Sequence, residues 1–128
     1  MATDEKAPRL VLQGMLRPLL PRAWRIVPSQ QTVLDTLSTT TVILKQLRME
    51  RHPAAPQGAH LVHFVVTIAS PLPATEKAED DVDDKINTLL HAIDSLGIAW
   101  TSAEKVLSDQ SLAYDITLSL TSTKKNGQ

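Results

Sequence analysis

The stretch that decides the fold is residues 59–96, which read AHLVHFVVTIASPLPATEKAEDDVDDKINTLLHAIDSL. Its first part alternates between two faces, as a β-strand does. One face carries Val62, Phe64, Val66 and Ile68, and the other carries His63, Val65 and Thr67. Pro71 and Pro73 end this strand. Beyond them the apolar residues recur at helical spacing, so the stretch predicts a strand followed by a helix.

The helix predicted over residues 76–96 has a single apolar stripe. The stripe consists of Ala78, Val82, Ile86, Leu89, Leu90, Ile93 and Leu96. Acidic residues crowd its first turns, where the helix macrodipole favours negative charge. Thr75 is placed to cap its start, and Gly97 stands where a glycine commonly ends a helix.

The segments before this stretch predict a helix, a short strand and a connector. Residues 7–20 have apolar side chains at helical spacing, and this helix is expected to end near Pro18 or Pro21. Residues 24–27 predict a short strand. Residues 29–37 are expected to connect it to the rest of the sheet.

Two antiparallel hairpins complete the predicted sheet. Residues 39–51 form a strand that pairs with the strand over residues 59–70, because the loop at 52–58 contains two prolines and a glycine. Residues 98–107 and 112–121 predict the second hairpin.

Strict alternation assigns the side chains of two strands to faces. In the earlier strand, Leu44, Gln46, Arg48 and Glu50 are expected on one face, and Lys45, Leu47, Met49 and Arg51 on the other. In the last strand, Leu112, Tyr114, Ile116, Leu118 and Leu120 are expected inward, and Ala113, Asp115, Thr117 and Ser119 outward. The chain is thus expected to be a single α+β domain over residues 1–128. It would have a mostly antiparallel sheet of about five strands, one long amphipathic helix packed on it, and an N-terminal helix.

The composition of the chain excludes several classes of functional site. The chain has 128 residues and no cysteine, which excludes disulfides, zinc–thiolate sites and thiol catalysis. Residues 1–6 do not read as a signal peptide, and no apolar stretch is long enough to span a bilayer. Residues 1–51 hold eight Lys and Arg against four Asp and Glu, whereas the remainder holds five against ten. Subunits of this kind could stack basic face on acidic face, although random scatter of charge explains the counts equally well.

No catalytic, cofactor or metal motif is found. The acidic run at 79–84 does not fit a calcium-binding EF-hand loop, because Ile86 and Ala92 stand where a glycine and a glutamate are needed. There is no nucleophile elbow and no glycine-rich phosphate loop. His52 and His60 flank one loop, and His63 has no clear carboxylate partner. We therefore do not expect an enzyme, a cofactor or a metal site.

The N-terminal half carries a set of basic side chains. It comprises Arg17, Arg22, Arg25, Lys45, Arg48 and Arg51. These residues could form a phosphate-binding stripe, but no nucleic-acid motif surrounds them, so a solvated or subunit-facing role is preferred. In a strand, Arg48 and Arg51 point to opposite faces.

The order of elements resembles the tail terminator, or tail completion, proteins of long-tailed bacteriophages. The resemblance rests on LLPRAWRIVP at 19–28, TTVILKQLRMER at 40–51, HLVHFVVTIASP at 60–71, the acidic helix at 76–96 and LAYDITLSLTS at 112–122. It implies a homohexameric ring on the end of the tail tube. Such a ring stops tube polymerisation, binds the tail tube protein and a head-side connector or stopper protein, and lets DNA pass without specific binding.

This resemblance further implies a virion protein of the head–tail junction that assembles in the host cytoplasm, with no membrane partner. The candidate subunit-contact residues are Arg25, Arg48, Arg51, His52 and His60. Another phage neck, connector or minor tail subunit is the nearest alternative. A small ferredoxin-like ligand-binding or enzymatic domain is an alternative of a different class.

Overall fold

The fold is described from a computed structural model. The residues described are 7–28, 39–51, 59–72, 75–107 and 112–123. The predicted connector at 29–37 and the hairpin loop at 52–58 lie outside them. The elements are α1 (Pro8–Leu16), a 3₁₀ helix (Arg17–Leu19), β1 (Arg25–Val27), β2 (Thr41–Arg51), β3 (Ala59–Ala69), α2 (Glu76–Ser95), β4 (Ala99–Leu107) and β5 (Leu112–Thr123).

The five strands form one mixed sheet in the order β1-β2-β3-β5-β4. Strand β1 runs parallel to β2, and the other three neighbouring pairs are antiparallel. Both predicted hairpins, β2–β3 and β4–β5, are therefore confirmed, and the fold class is α+β. Because antiparallel neighbours need only a short link, the two hairpins form from segments that are adjacent in sequence.

Both helices contribute to one core on the same side of the sheet, which we call the helix face. The core includes Leu12 and Leu16 of α1, Leu89 and Ile93 of α2, and Phe64 of β3, all fully buried. Helix α1 packs near β2, whereas α2 packs on β3, β5 and β4. The two helices thus lie over opposite halves of the sheet.

The opposite side of the sheet, which we call the reverse face, is partly buried as well. Ala113, expected to face outward, lies on this face but is buried. Its cross-strand neighbours are Ala69 of β3 and Val106 of β4. A methyl group between two flanking strands is easily covered by its neighbours. The alternation pattern therefore predicted the face of Ala113 correctly, but the prediction that its side chain is exposed was wrong.

Helix α1 ends near Pro18, one of the two ends predicted for it. The expected helix over residues 7–20 ends at Leu16, and the 3₁₀ helix follows. Pro18 has no backbone N–H, so it cannot donate the hydrogen bond that would continue the α-helix. The Arg17 guanidinium instead fastens the following turn, donating from Nη1 to the Trp24 carbonyl at 2.9 Å and from Nη2 to the Pro21 carbonyl at 2.6 Å.

A β-bulge at Leu47 overturns the predicted faces of the second half of β2. Gln46 pairs with Phe64 and Arg48 with His63, so Leu47 is an extra residue. An extra residue shifts the phase of alternation by one. Arg48 and Glu50 therefore share the reverse face with Lys45, not the face of Leu44 and Gln46. Arg48 and Arg51 still point to opposite faces, as expected.

Helix α2 ends at the predicted glycine. Gly97 has a φ of +73°, a conformation that glycine adopts without steric cost. Its N–H donates to the Asp94 carbonyl at 3.0 Å, and the Ile98 N–H donates to the Ile93 carbonyl at 3.3 Å. This pair of bonds is a Schellman motif, and it turns the chain directly into β4.

Candidate assembly interface

One half of the molecule is basic. We call this half, formed by α1, the 3₁₀ helix, β1 and β2, the basic side. Its described residues include seven Lys and Arg but only one acid, Glu50. The basic residues are Arg9, Arg17, Arg22, Arg25, Lys45, Arg48 and Arg51. The excess of positive charge in the N-terminal part of the sequence is therefore also an excess of positive charge in one half of the folded molecule.

The other half of the molecule is acidic. We call this half, formed by α2 and β4, the acidic side. It holds eight Asp and Glu against three lysines. The acids are Glu76, Glu79, Asp80, Asp81, Asp83, Asp84, Asp94 and Glu104. Since β4 is one edge of the sheet and β1 and β2 form the other, the two charges lie at opposite ends of the strand order.

The acidic run of α2 does more than complement the helix dipole. Asp81 accepts a hydrogen bond from Ser70 Oγ at 2.9 Å and another from Lys85 Nζ at 2.6 Å. Lys105 Nζ of β4 lies 2.9 Å from Glu79 Oε2 and 3.0 Å from Asp83 Oδ1. The account based on the helix start alone was therefore incomplete, because three acids also hold α2 against the sheet.

The Asp83 carboxylate has a second donor in Tyr114, whose hydroxyl lies 3.0 Å from Oδ1. The hydrogen bond from Lys105 lowers the pKa of Asp83, against the effect of burial. Glu79 and Asp83 together raise the pKa of Lys105. Burial, helped by the bond to Asp83, raises the pKa of Tyr114. Across the physiological pH range Asp83 and Lys105 are therefore charged, and Tyr114 is neutral.

Each side of the sheet ends in a long strand edge. Strand β1 pairs with β2 only at Thr41, Val42 and Ile43, so residues 44–51 form what we call the β2 edge. Strand β4 pairs with β5 on one side, and its other side is what we call the β4 edge. Within the described part of the chain, no strand pairs with either edge.

The basic side also exposes large apolar side chains. Leu47 and Met49 at the β2 edge are 54% and 45% exposed. Leu10, Val11 and Leu19 are exposed on and beside α1. A shallow depression on α1 is lined by Leu10, Gln13, Gly14 and Arg17. Apolar surface next to positive charge is the composition of many protein interfaces.

The structure brings two of the predicted contact residues together. Arg51 and His60 are directly paired across the β2–β3 hairpin, and both are exposed. Arg48 lies on the other face of β2, where Nη2 is 3.0 Å from Glu50 Oε2. Arg25 opposes Thr41 at the far end of β2, about 30 Å from Arg51 at the usual rise of a strand. His52 lies outside the described residues.

Sequence reasoning missed two features of this surface. It assigned His63 no carboxylate partner, but Nε2 of His63 lies 2.5 Å from Glu50 Oε2. That prediction was wrong because the bulge at Leu47 moves Glu50 to the face of His63. It also did not single out Glu104, an exposed carboxylate of the edge strand β4. Edge position depends on strand order, which is not visible in the local pattern.

Across residues 7–28, 39–51, 59–72, 75–107 and 112–123, no cluster of three or more His, Cys, Asp or Glu side chains is arranged to hold a metal ion. Neither described helix combines the length and apolar character needed to cross a membrane. Comparison of the chain with protein-family models and with curated protein sequences gives no match.

Proposed function

We propose that this chain is a structural virion subunit that forms a ring and caps the tail tube of a long-tailed phage, in the manner of a tail terminator. One observation carries the proposal: the basic side and the acidic side lie at opposite ends of one sheet. A subunit with complementary opposite sides associates head to tail, and head-to-tail contacts form a closed ring when the rotation between neighbours closes.

Helix α2 has a particular part in this proposal. It is read as a long amphipathic helix whose apolar stripe packs on the sheet and whose acids face a neighbouring subunit. Its buried residues are Ala78, Val82, Ile86, Leu89, Ala92 and Ile93. Its exposed acids include Glu76, Asp80, Asp84 and Asp94. The exposed acids supply the charge that the basic side of the next subunit complements.

The proposed partners follow from the position of such a ring. One ring surface binds the tail tube protein and stops its polymerisation, and the other binds the head-side connector or stopper. DNA passes through the lumen without specific binding. The protein would assemble in the host cytoplasm and remain at the head–tail junction of the virion.

Electron microscopy of tails made with and without this chain tests the proposal. Loss of a terminator gives overlong tails, and adding the purified chain to tail tubes should place a ring on the tube end and restore normal length. A Thr117→Ser variant, changed at an exposed position of the inner strand β5, is the matched control and should restore length equally.

Tails of normal length without the chain would contradict the terminator role. If those tails were also separated from filled heads, the alternative of a head-side connector subunit would replace it. If the purified chain stayed monomeric and never joined tails, both virion roles would fail.

A further inference from the structure

Helix α2 is anchored to the sheet in two parts that differ in kind. Four residues of its second half lie in the main core: Ile86, Leu89, Ala92 and Ile93. Its first half, residues 76–84, contributes Ala78 and Val82 to a separate small cluster with Leu112 of β5. Burial stabilises in proportion to the apolar area removed from water, and these first-half side chains are few and small. Apolar packing therefore holds the first half more weakly than the second.

The first half of α2 also carries charges that repel one another. Its acidic residues are Glu76, Glu79, Asp80, Asp81, Asp83 and Asp84. Residues four apart lie side by side on a helix, so Glu79 and Asp83 form a like-charge pair, which is unfavourable. The macrodipole favours acids only within the first turn, so it does not offset the charge of Asp83. The first half therefore depends on contacts outside the helix.

Lys105 of β4 supplies the main contact of this kind. Its Nζ lies 2.9 Å from Glu79 Oε2 and 3.0 Å from Asp83 Oδ1, so one cation offsets the repulsion between the two acids. The same Nζ lies 5.7 Å from the centre of the Tyr114 ring, within the range of a cation–π contact. Among the described residues, no other lysine or arginine forms an ion pair with Glu79 or Asp83. Lys105 thus ties the first half of α2 to the sheet through charge.

We infer that residues 76–84 form a latch, which opens separately from the rest of α2, and that Lys105 keeps this latch closed. Opening releases Ala78 and Val82 from the sheet and uncovers Leu112, while the second half of α2 stays in the main core. Segments held by few apolar contacts open locally in this way. The inference goes beyond the proposed ring and does not depend on it.

Hydrogen exchange of single amides in the full chain, followed by NMR, tests the latch. The amides of residues 80–84 report on the latch and those of residues 89–93 on the second half, because each donates to a carbonyl four residues earlier. In the original chain, the latch amides should be the less protected of the two groups. Lys105→Met keeps an unbranched apolar side chain but removes the charge. It should lower protection of the latch amides about tenfold and leave the second half and β3 within about twofold.

Two further variants separate charge from general destabilisation. Lys77→Met removes the same charge from an exposed position of the latch and should change its protection by less than about threefold. A triple variant that combines Lys105→Met with Glu79→Gln and Asp83→Asn removes the repelling acids together with their cation. It should recover most of the lost protection. Salt at about 1 M, where the Debye length is about 3 Å, should also raise latch protection in the Lys105→Met variant.

Three results would overturn the inference. Latch amides as protected as those of the second half in the original chain would show that α2 opens as one unit. An equal loss in the latch, the second half and β3 of the Lys105→Met variant would show that only the whole fold opens. Unchanged latch protection in that variant would show that Lys105 does not hold the latch. Each would leave the tail-capping experiment unaffected, because ring formation does not require α2 to open.

Discussion

Glu50 and His63 bind each other across the β2–β3 hairpin, with Oε2 of the carboxylate 2.5 Å from Nε2 of the ring. Arg48 approaches the same oxygen at 3.0 Å. The two partners are on one face only because Leu47 is an extra residue in β2. The bulge thereby brings the side chains of Arg48, Glu50 and His63 together on the reverse face.

A double-mutant cycle with Glu50→Gln and His63→Gln measures this contact. We expect a coupling of about 0.5–1 kcal/mol in the free energy of unfolding, since exposed pairs contribute little. Urea denaturation of the four proteins gives the value. The matched cycle of Glu104→Gln with His63→Gln should give no coupling, because Glu104 lies on the distant strand β4. Equal coupling in both cycles would contradict the assigned contact.

Much of the architecture could be predicted because its signals are local. The alternation of β3, the prolines after it and the glycine at position 97 each act within a few residues. They identified a buried strand face, the place where the chain turns and the end of α2 correctly. The two hairpins followed because their strands are neighbours in sequence.

The features that the sequence did not predict depend on residues that are far apart along the chain. No turn residue marks the bulge at Leu47, which is visible only in the pairing of β2 with β3. Asp81 also contacts Ser70, just after β3, and the partners of Asp83 come from β4 and β5, so a helical pattern does not predict these contacts. The parallel pairing of β1 with β2 also needs knowledge of where a separate segment returns to the sheet.

The bond between Asp83 and Lys105 predicts an acid dependence of stability. The folded-state pKa of Asp83 lies below its ordinary value of 3.8. Its contribution is therefore fully present above about pH 4 and is lost as the pH falls through the folded pKa. Asp83→Asn removes this contribution, so its free energy of unfolding should fall less steeply below pH 4 than that of the original chain.

Denaturant titrations at a series of pH values from 2 to 7 make this comparison. Asp80→Asn removes an exposed carboxylate of the same helix and should keep the original steepness. An identical acid dependence of the Asp83→Asn variant and the original chain would show that the contact with Lys105 does not stabilise the fold.

Replacing each of the two described glycines with alanine should change the free energy of unfolding in opposite directions. Gly97→Ala forces a side chain into a left-handed conformation and should lower stability by about 1–2 kcal/mol. Gly14→Ala, in the exposed middle of α1, should raise stability by up to about 1 kcal/mol because alanine favours a helix. A Cβ meets open space at both positions, so only backbone preference differs. Thermal unfolding that shifts in the same direction for both would contradict the assigned conformations.

Alanine substitutions at two neighbouring residues of α2 test how the helix packs on the sheet. Leu89 is fully buried and Thr88 is exposed. Leu89→Ala should cost about 2–5 kcal/mol, and Thr88→Ala should change stability by less than about 0.5 kcal/mol. Chemical denaturation distinguishes them. Comparable losses at both positions would mean that α2 packs on the sheet through a different face.

Native mass spectrometry of the full chain at increasing salt tests the central claim most directly. Head-to-tail association of a basic side with an acidic side predicts one closed oligomer, a hexamer if the resemblance holds, at low salt. Its population should fall as salt screens the opposed charges. A monomer at every salt and protein concentration would contradict the account.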